Sequence, residues 1–248
     1  MDSVATSLDR LLGGKVNLLQ PQKGYRVAID PVLLAAATPI AAGERALDMG
    51  CGTFAIGLCL AARVPGSFVV GLESNPAIAA LARASIDLNN MNEFLSVIEG
   101  DAARPPVALR RDSFDHVITN PPYLTEDAAG RAAHAGPKAH AHVEGMTLAP
   151  WLDACLRRLR PAGYLSIVHR ADRLDEILSH LSGRAGDIRI FPLWPRASSP
   201  KPSRLLVRAR KGSRAGVQLL RGMVLHGEGG TFTAEASAVL RDGMPLKL

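Results

Sequence analysis

Between residues 46 and 210, short apolar runs alternate with helical segments, and this alternation constrains the fold more than any other feature. Ala46–Gly50 reads as a strand followed by a helix over Ala55–Ala62, and Phe68–Glu73 as a strand followed by a helix over Ala77–Leu88. Leu95–Ile98 and Asp115–Thr119 are two further strands, and a helix over Leu148–Leu159 leads into a strand at Tyr164–Val168. After a helix at Arg173–Leu181, the runs Ile188–Leu193 and Arg204–Arg210 follow without a full helix between them. Strands joined through helices favour a mainly parallel sheet covered on both faces. The last pair predicts one antiparallel strand, giving a seven-stranded α/β sheet.

The chain of 248 residues, 47% hydrophobic, is long enough to bury a full core. It reads as a single domain, with residues 1–43 a lead-in segment covering the ligand site and residues 44–248 the core. In the lead-in, Asp30-Pro31 opens a helix with an acid at the N-cap and proline at its first position. No apolar run reaches the ~18–20 residues of a membrane span, and Met1–Ala5 lacks the basic and apolar regions of a secretory signal. Cys51, Cys59 and Cys155 are too scattered for a disulfide framework, so reduced thiols and a cytoplasmic location are expected. Leu124–Met146, rich in Ala, Gly and His, has no apolar period and reads as a loop beside the active site. Its His134, His140 and His142 lack an acidic or cysteine partner at matching spacing, and no metal is expected.

Net charge is +6, and the excess is concentrated between Trp151 and Arg221, where basic residues recur and acids are few. Such a stretch favours a polyanionic partner such as nucleic acid.

Two segments carry chemistry. Leu47-Asp48-Met49-Gly50-Cys51-Gly52-Thr53-Phe54-Ala55 follows a strand and opens a helix. Its glycines permit a tight turn and close approach of a ligand to the backbone. Glu73 ends the next strand, placed to accept from ribose hydroxyls, and Asp101 ends the third, placed to accept from an adenine amino group. Gly50-x-Gly52-x-x-Ala55 also fits a dinucleotide fingerprint, which keeps a nicotinamide-dependent oxidoreductase as an alternative. Asp48, however, suits a ligand ammonium and repels a pyrophosphate. Acids at successive strand ends complement S-adenosylmethionine better than NAD.

The second segment is Asn120-Pro121-Pro122-Tyr123, which ends the fourth strand. Both prolines fix φ and lack an N–H, so the chain leaves the sheet as a stiff extended segment. Asn120 Oδ1 and the Pro121 carbonyl can then converge on the two protons of a planar NH2 group, with the Tyr123 ring stacked on its face.

Together these motifs resemble the class I S-adenosylmethionine-dependent methyltransferases that modify exocyclic or amide nitrogens, over roughly residues 44–170. The lead-in Gly24-Tyr25-Arg26…Asp30-Pro31 and the closing Leu219–Gly227 segment are similar to the bacterial valine-tRNA adenine-N6 methyltransferase group. The resemblance implies a Rossmann-like fold and S-adenosylmethionine bound by Asp48, Gly50, Cys51, Gly52, Glu73, Ser74, Asp101, Ala102 and Asn120. It also implies catalysis by Asn120, Pro121, Pro122 and Tyr123, and substrate contacts at Tyr25, Arg26, Tyr123 and Arg131, with an adenine of RNA, tRNA first, as substrate. Release-factor glutamine methyltransferases share the motif and supply a protein alternative, and a catalytically silent RNA-binding relative is a fourth reading. One departure stands out: the family's third glycine is Phe54 here, whose ring is expected to press on the methionine part of the cofactor or tighten its pocket.

Overall fold

The computed structural model describes residues 5–23, 26–122 and 146–248. The chain opens with an antiparallel hairpin, β1 (Thr6–Leu11) and β2 (Val16–Pro21), turned at Gly13-Gly14. Then α1 (Asp30–Ala37) precedes an alternating core. The core runs through β3 (Arg45–Met49), α2 (Ala55–Arg63), β4 (Phe68–Glu73), α3 (Pro76–Leu88), β5 (Leu95–Glu99) and β6 (Phe114–Thr119). It continues with α4 (Leu148–Arg158), β7 (Leu159–Arg170), α5 (Leu174–Leu181), β8 (Ala185–Arg196) and β9 (Arg204–Lys211). Two short strands, β10 (Val217–Leu219) and β11 (Met223–His226), and α6 (Ala234–Ser237) follow.

The central sheet has nine strands in the order β10-β8-β9-β7-β6-β3-β4-β5, with β11 also paired to β8. Only β9 runs against its neighbours, as the missing crossover helix predicts. The count exceeds the expected seven because β10 and β11 add to the edge of β8, both parallel to it. They are three and four residues long, too short for a two-residue alternation to register. Between them Gly222 turns at φ +78°, and a Cβ there would lie 2.0 Å from the Pro192 carbonyl oxygen.

Burial follows strand alternation. On β3, Ala46 faces one apolar layer with α1, α2 and α3, while Leu47 and Met49 face the other with α4 and α5. Each fully buried Leu or Phe contributes about 1.5–3 kcal/mol. Helix α3 starts where Asn75 Oδ1 accepts from the Ala77 and Ile78 amides and Pro76 fills the first position. It buries Ala79, Ala82 and Ile86 on one stripe.

Two expectations change. Strand β7 begins at Leu159, directly after α4, because Pro161-Ala162-Gly163 forms an irregularity within the strand, with Ala162 at φ +62°, rather than a terminating turn. Asp30 stands inside the first turn of α1 with Ile29 at the N-cap, and its Oδ2 accepts from Arg204 Nε at 3.2 Å, tying α1 to β9. The lead-in is anchored on α3: the Asn17 amide donates to Asn89 Oδ1 (2.9 Å), Asn89 Nδ2 to the Asn17 carbonyl (2.7 Å), and the Leu19 amide to Ser85 Oγ (3.0 Å).

Candidate active site

Strand register brings the two motifs together. Asp48 pairs with Ile118 on β6 and with Gly71 on β4, so Asn120, Gly50 and Glu73 stand level at the tips of three adjacent strands. Neighbouring strands lie about 4.8 Å apart, so the three tips fit within one small ligand. The strand order reverses between β6 and β3, the crevice where open α/β sheets bind ligands. Asp101 follows β5 on the same side, with Oδ1 accepting from the Ala103 amide at 2.8 Å.

The glycine turn is fixed from several directions. The Cys51 amide donates to the Leu72 carbonyl (2.9 Å) and the Gly52 amide to Glu73 Oε2 (2.9 Å), while Glu73 Oε1 accepts from the Asn75 amide (2.8 Å). Glu73 thus braces the turn and keeps further lone pairs for a ligand. Gly50 has φ +71°, and a Cβ on it would sit 2.8 Å from the Trp151 ring, so both conformation and space require glycine there. Gly52, at φ +55°, has open space where its Cβ would be, the kind of close approach a ligand needs.

Asp48 is fully buried, and neither carboxylate oxygen has a hydrogen-bond partner among the described residues. Burial first, then the Glu73 charge, raises its pKa well above the usual carboxylate range, and the pull of the Gly57 amide opposes them. Burial followed by Asp48 and Glu73 likewise raises the Cys51 thiol. A buried carboxylate beside a second acid, Glu73, suits a ligand carrying donors and positive charge.

Phe54 packs into the core beside the glycine turn. Its ring is 0% exposed and lies in the core between α2 and β4, where a Cβ on Gly57 would meet it at 2.4 Å and one on Gly71 at 2.9 Å. The backbone of Phe54 is left-handed, φ +72°, the conformation that explains a glycine preference at this position.

Of the other expected positions, Cys51 and Ala102 are buried, Ser74 is exposed, Asn120 is half-buried, Pro121 is buried and Pro122 exposed. Arg26 pairs with Asp9 at 2.6 Å and donates to Ser7 Oγ at 2.8 Å, fastening the segment to the opening hairpin. Tyr25, Tyr123, Arg131 and the three loop histidines lie outside the described residues, as does residue range 124–145 of the expected loop. Two residues not singled out in the sequence join the site. Thr119 Oγ1 donates to the Met49 carbonyl and accepts from Trp151 Nε1, each at 2.9 Å, linking the strand tip before Asn120 to the strand before the glycine turn. A hydrogen bond across 32 positions leaves no mark in sequence. The three cysteines are buried and unpaired, and no described helix is long and apolar enough to cross a membrane.

Comparison with known proteins agrees with this geometry. The profile of the methyltransferase small domain family matches residues 28–181. The chain is 24% identical over 220 residues, 88% of its own length and 92% of the relative, to a tRNA1(Val) (adenine(37)-N6)-methyltransferase of Shewanella sp. (strain MR-7). It is 28% identical over 165 residues, 62% of its own length and 56% of the relative, to a release factor glutamine methyltransferase of Gloeobacter violaceus. A predicted O-methyltransferase of Agrobacterium tumefaciens superposes with a TM-score of 0.71 at 26% identity, covering 88% of this chain and 99% of that one.

Proposed function

This chain belongs to the methyltransferase small domain family, and on that premise we propose that it transfers the methyl group of S-adenosylmethionine to the exocyclic N6 of an adenine in RNA, tRNA in the first place. The observation that carries the reading is the level placement of Asn120, the Gly50 turn and Glu73 on adjacent strands at the reversal of strand order. The likeness to a relative named for adenine-N6 methylation of tRNA supports the substrate.

Asp48, Gly50, Cys51, Gly52, Glu73, Ser74, Asp101 and Ala102 hold the cofactor in this reading, with Asp48 facing its ammonium and Glu73 its ribose hydroxyls. Bound there, S-adenosylmethionine supplies an electrophilic methyl group. Asn120 Oδ1 and the Pro121 carbonyl accept the two protons of the adenine amino group, so its lone pair points away from the ring. Both acceptors also stabilise the positive charge that develops on the nitrogen, and holding the amine in line supplies the proximity contribution. Pro122 stiffens the segment, and Tyr123 stacks on the unstacked base. The amine is acidic enough after transfer to lose its proton, so these residues need no general base. The protein acts as one domain in the cytoplasm.

The test is incubation of the purified protein and tritiated S-adenosylmethionine with total RNA and total protein fractions. Label in RNA supports the reading, and label only in protein replaces adenine with glutamine as the acceptor. Asn120→Ala should lower transfer by at least about 10²-fold while leaving cofactor affinity, read by calorimetry, nearly intact. Undiminished transfer in that variant sinks the mechanism.

A further inference from the structure

The basic residues that the sequence gathers into one stretch divide between the two ends of the sheet. Arg170, Arg196 and Arg204 stand at the end that carries Asn120. Arg157, Arg158, Arg160, Arg210 and Lys211 stand at the opposite end, where α4 finishes and β7 begins. Arg158 differs from the rest of that group. It is only 8% exposed, its Nε is buried, and no acid or hydrogen-bond acceptor among the described residues pairs with its guanidinium.

The surroundings add positive charge rather than cancel it. The Asp112 amide donates to the Arg157 carbonyl (3.1 Å) and the Ser113 amide to the Arg158 carbonyl (3.0 Å), which fixes the backbone of Arg111 beside the helix end. Those two carbonyls are therefore already used, leaving less of the negative helix terminus to offset a cation. Nearby acids are engaged elsewhere. Asp153 pairs with Arg184 and stands 3.7 Å from Arg157, Asp112 binds Lys211 at 2.6 Å, and Asp115 binds Arg160 at 2.7 Å. Burial, and then the charges of Arg111 and Arg157, push the Arg158 pKa below the ordinary arginine value.

A largely buried arginine whose Nε lacks a partner and whose guanidinium has no counter-charge is destabilising, and like charges at its rim make it more so. An oxyanion removes both penalties, because the planar guanidinium edge matches two phosphate oxygens. We infer that Arg158, with Arg111 and Arg157 at the rim, forms a phosphate-binding subsite at the end of the sheet remote from Asn120, taking a backbone phosphate of the nucleic acid whose base is methylated. The six residues of β6 separate the two ends by about 20 Å. A polynucleotide reaches both ends, and a single nucleotide does not.

The inference rests on the RNA reading above, so its test has two arms. In the first, inorganic phosphate is titrated into the full chain at constant ionic strength set with chloride. A tenfold excess over the dissociation constant should raise the thermal midpoint of the wild type by about 3–5 °C. Arg158→Met, which keeps the stem and removes the charge, should show no such rise. Equal shifts in both proteins, or none in the wild type, overturn the site. In the second arm, RNA affinity is measured against salt. Arg158→Met should bind about tenfold more weakly, the size of a charged hydrogen bond. Its slope of log affinity against log salt should fall by about 0.7–0.9. Arg158→Lys should restore the slope, which counts charges, but not the full affinity, which needs the fork. A lost phosphate shift with unchanged RNA affinity would reject the nucleic acid in favour of a small phosphorylated ligand. If the wild type binds no RNA, the functional reading fails, and the phosphate arm alone decides the site.

Discussion

Replacing Phe54 with glycine would restore the family's third glycine, and the structure predicts that the protein becomes less stable for it. Two terms of opposite sign are involved. Phe54 holds a left-handed backbone at φ +72°, which costs a non-glycine residue about 1–2 kcal/mol that glycine would recover. Its ring is wholly buried and fills the space between Gly57 and Gly71, and truncating a buried Phe costs about 3–5 kcal/mol. The cavity outweighs the relief, so Phe54→Gly should lose roughly 2–3 kcal/mol in urea unfolding at unchanged slope. Phe54→Ala leaves the cavity and keeps the strain, so it should be less stable than Phe54→Gly by about 1 kcal/mol, the reverse of the usual order. The space can also be refilled: Gly57→Ala alone forces a methyl to 2.4 Å from the ring, whereas in the Phe54→Gly background that clash is gone. The two substitutions should therefore couple favourably in a double-mutant cycle. If Phe54→Gly leaves stability unchanged but alters S-adenosylmethionine affinity, or Phe54→Ala is the more stable variant, the ring does not belong to the core and the reasoning is refuted.

Two further outcomes follow from buried polar groups. Thr119→Val should lower kcat about tenfold or more with the KM for S-adenosylmethionine within about twofold, and Thr119→Ser should restore it, since the hydroxyl holds Asn120 in register with the glycine turn. A KM effect without a kcat effect would reject that positioning role. His169 is held near a pKa of about 4 against an ordinary 6.5, by burial first and then by Arg173. The unfolded chain therefore binds more protons between those values, and stability should fall by about 3 kcal/mol on acidification from pH 7 to 4. Buried His116 acts in the same direction, its burial exceeding the pull of Glu44. Urea unfolding across this range should show a shallower pH slope in His169→Asn, and an unchanged slope would assign the acid sensitivity to other groups.

The parts of the fold legible in the sequence are those where a local signal and a buried face coincide. The strand Phe68–Glu73 and the helix from Pro76 are marked by β-branched residues and by a capping Asn-Pro, and tertiary packing uses the same faces. The opening hairpin was not legible from apolar alternation, because β1 alternates between exposed and half-buried positions and presents no buried face. The usable signal was Gly13-Gly14 between two extended runs. The placement of Asp48, Gly50, Gly52 and Glu73 at neighbouring strand tips was readable because their spacing is set by one strand–turn–helix–strand unit. Trp151 and Thr119 were not, since their roles depend on which strand tips lie side by side. Phe54 shows the intermediate case. The sequence reveals that a glycine is replaced, but only packing shows that the ring is wholly buried against Gly57 and Gly71.

Charge placement depends still more on topology. Arg204 and Arg210 are six residues apart, and on a strand that spacing carries them about 20 Å, from the end bearing Asn120 to the end bearing Arg158. Because β9 runs against β7 and β8, the basic residues at its start meet those at the ends of its neighbours, and those at its finish meet their beginnings. One basic run in the sequence thus becomes two separate clusters. A flat basic face would steer any polyanion toward the pocket. On the proposed RNA reading, two clusters separated by the depth of the sheet instead favour a polyanion long enough to engage both, so chain length would join base identity in selecting the substrate.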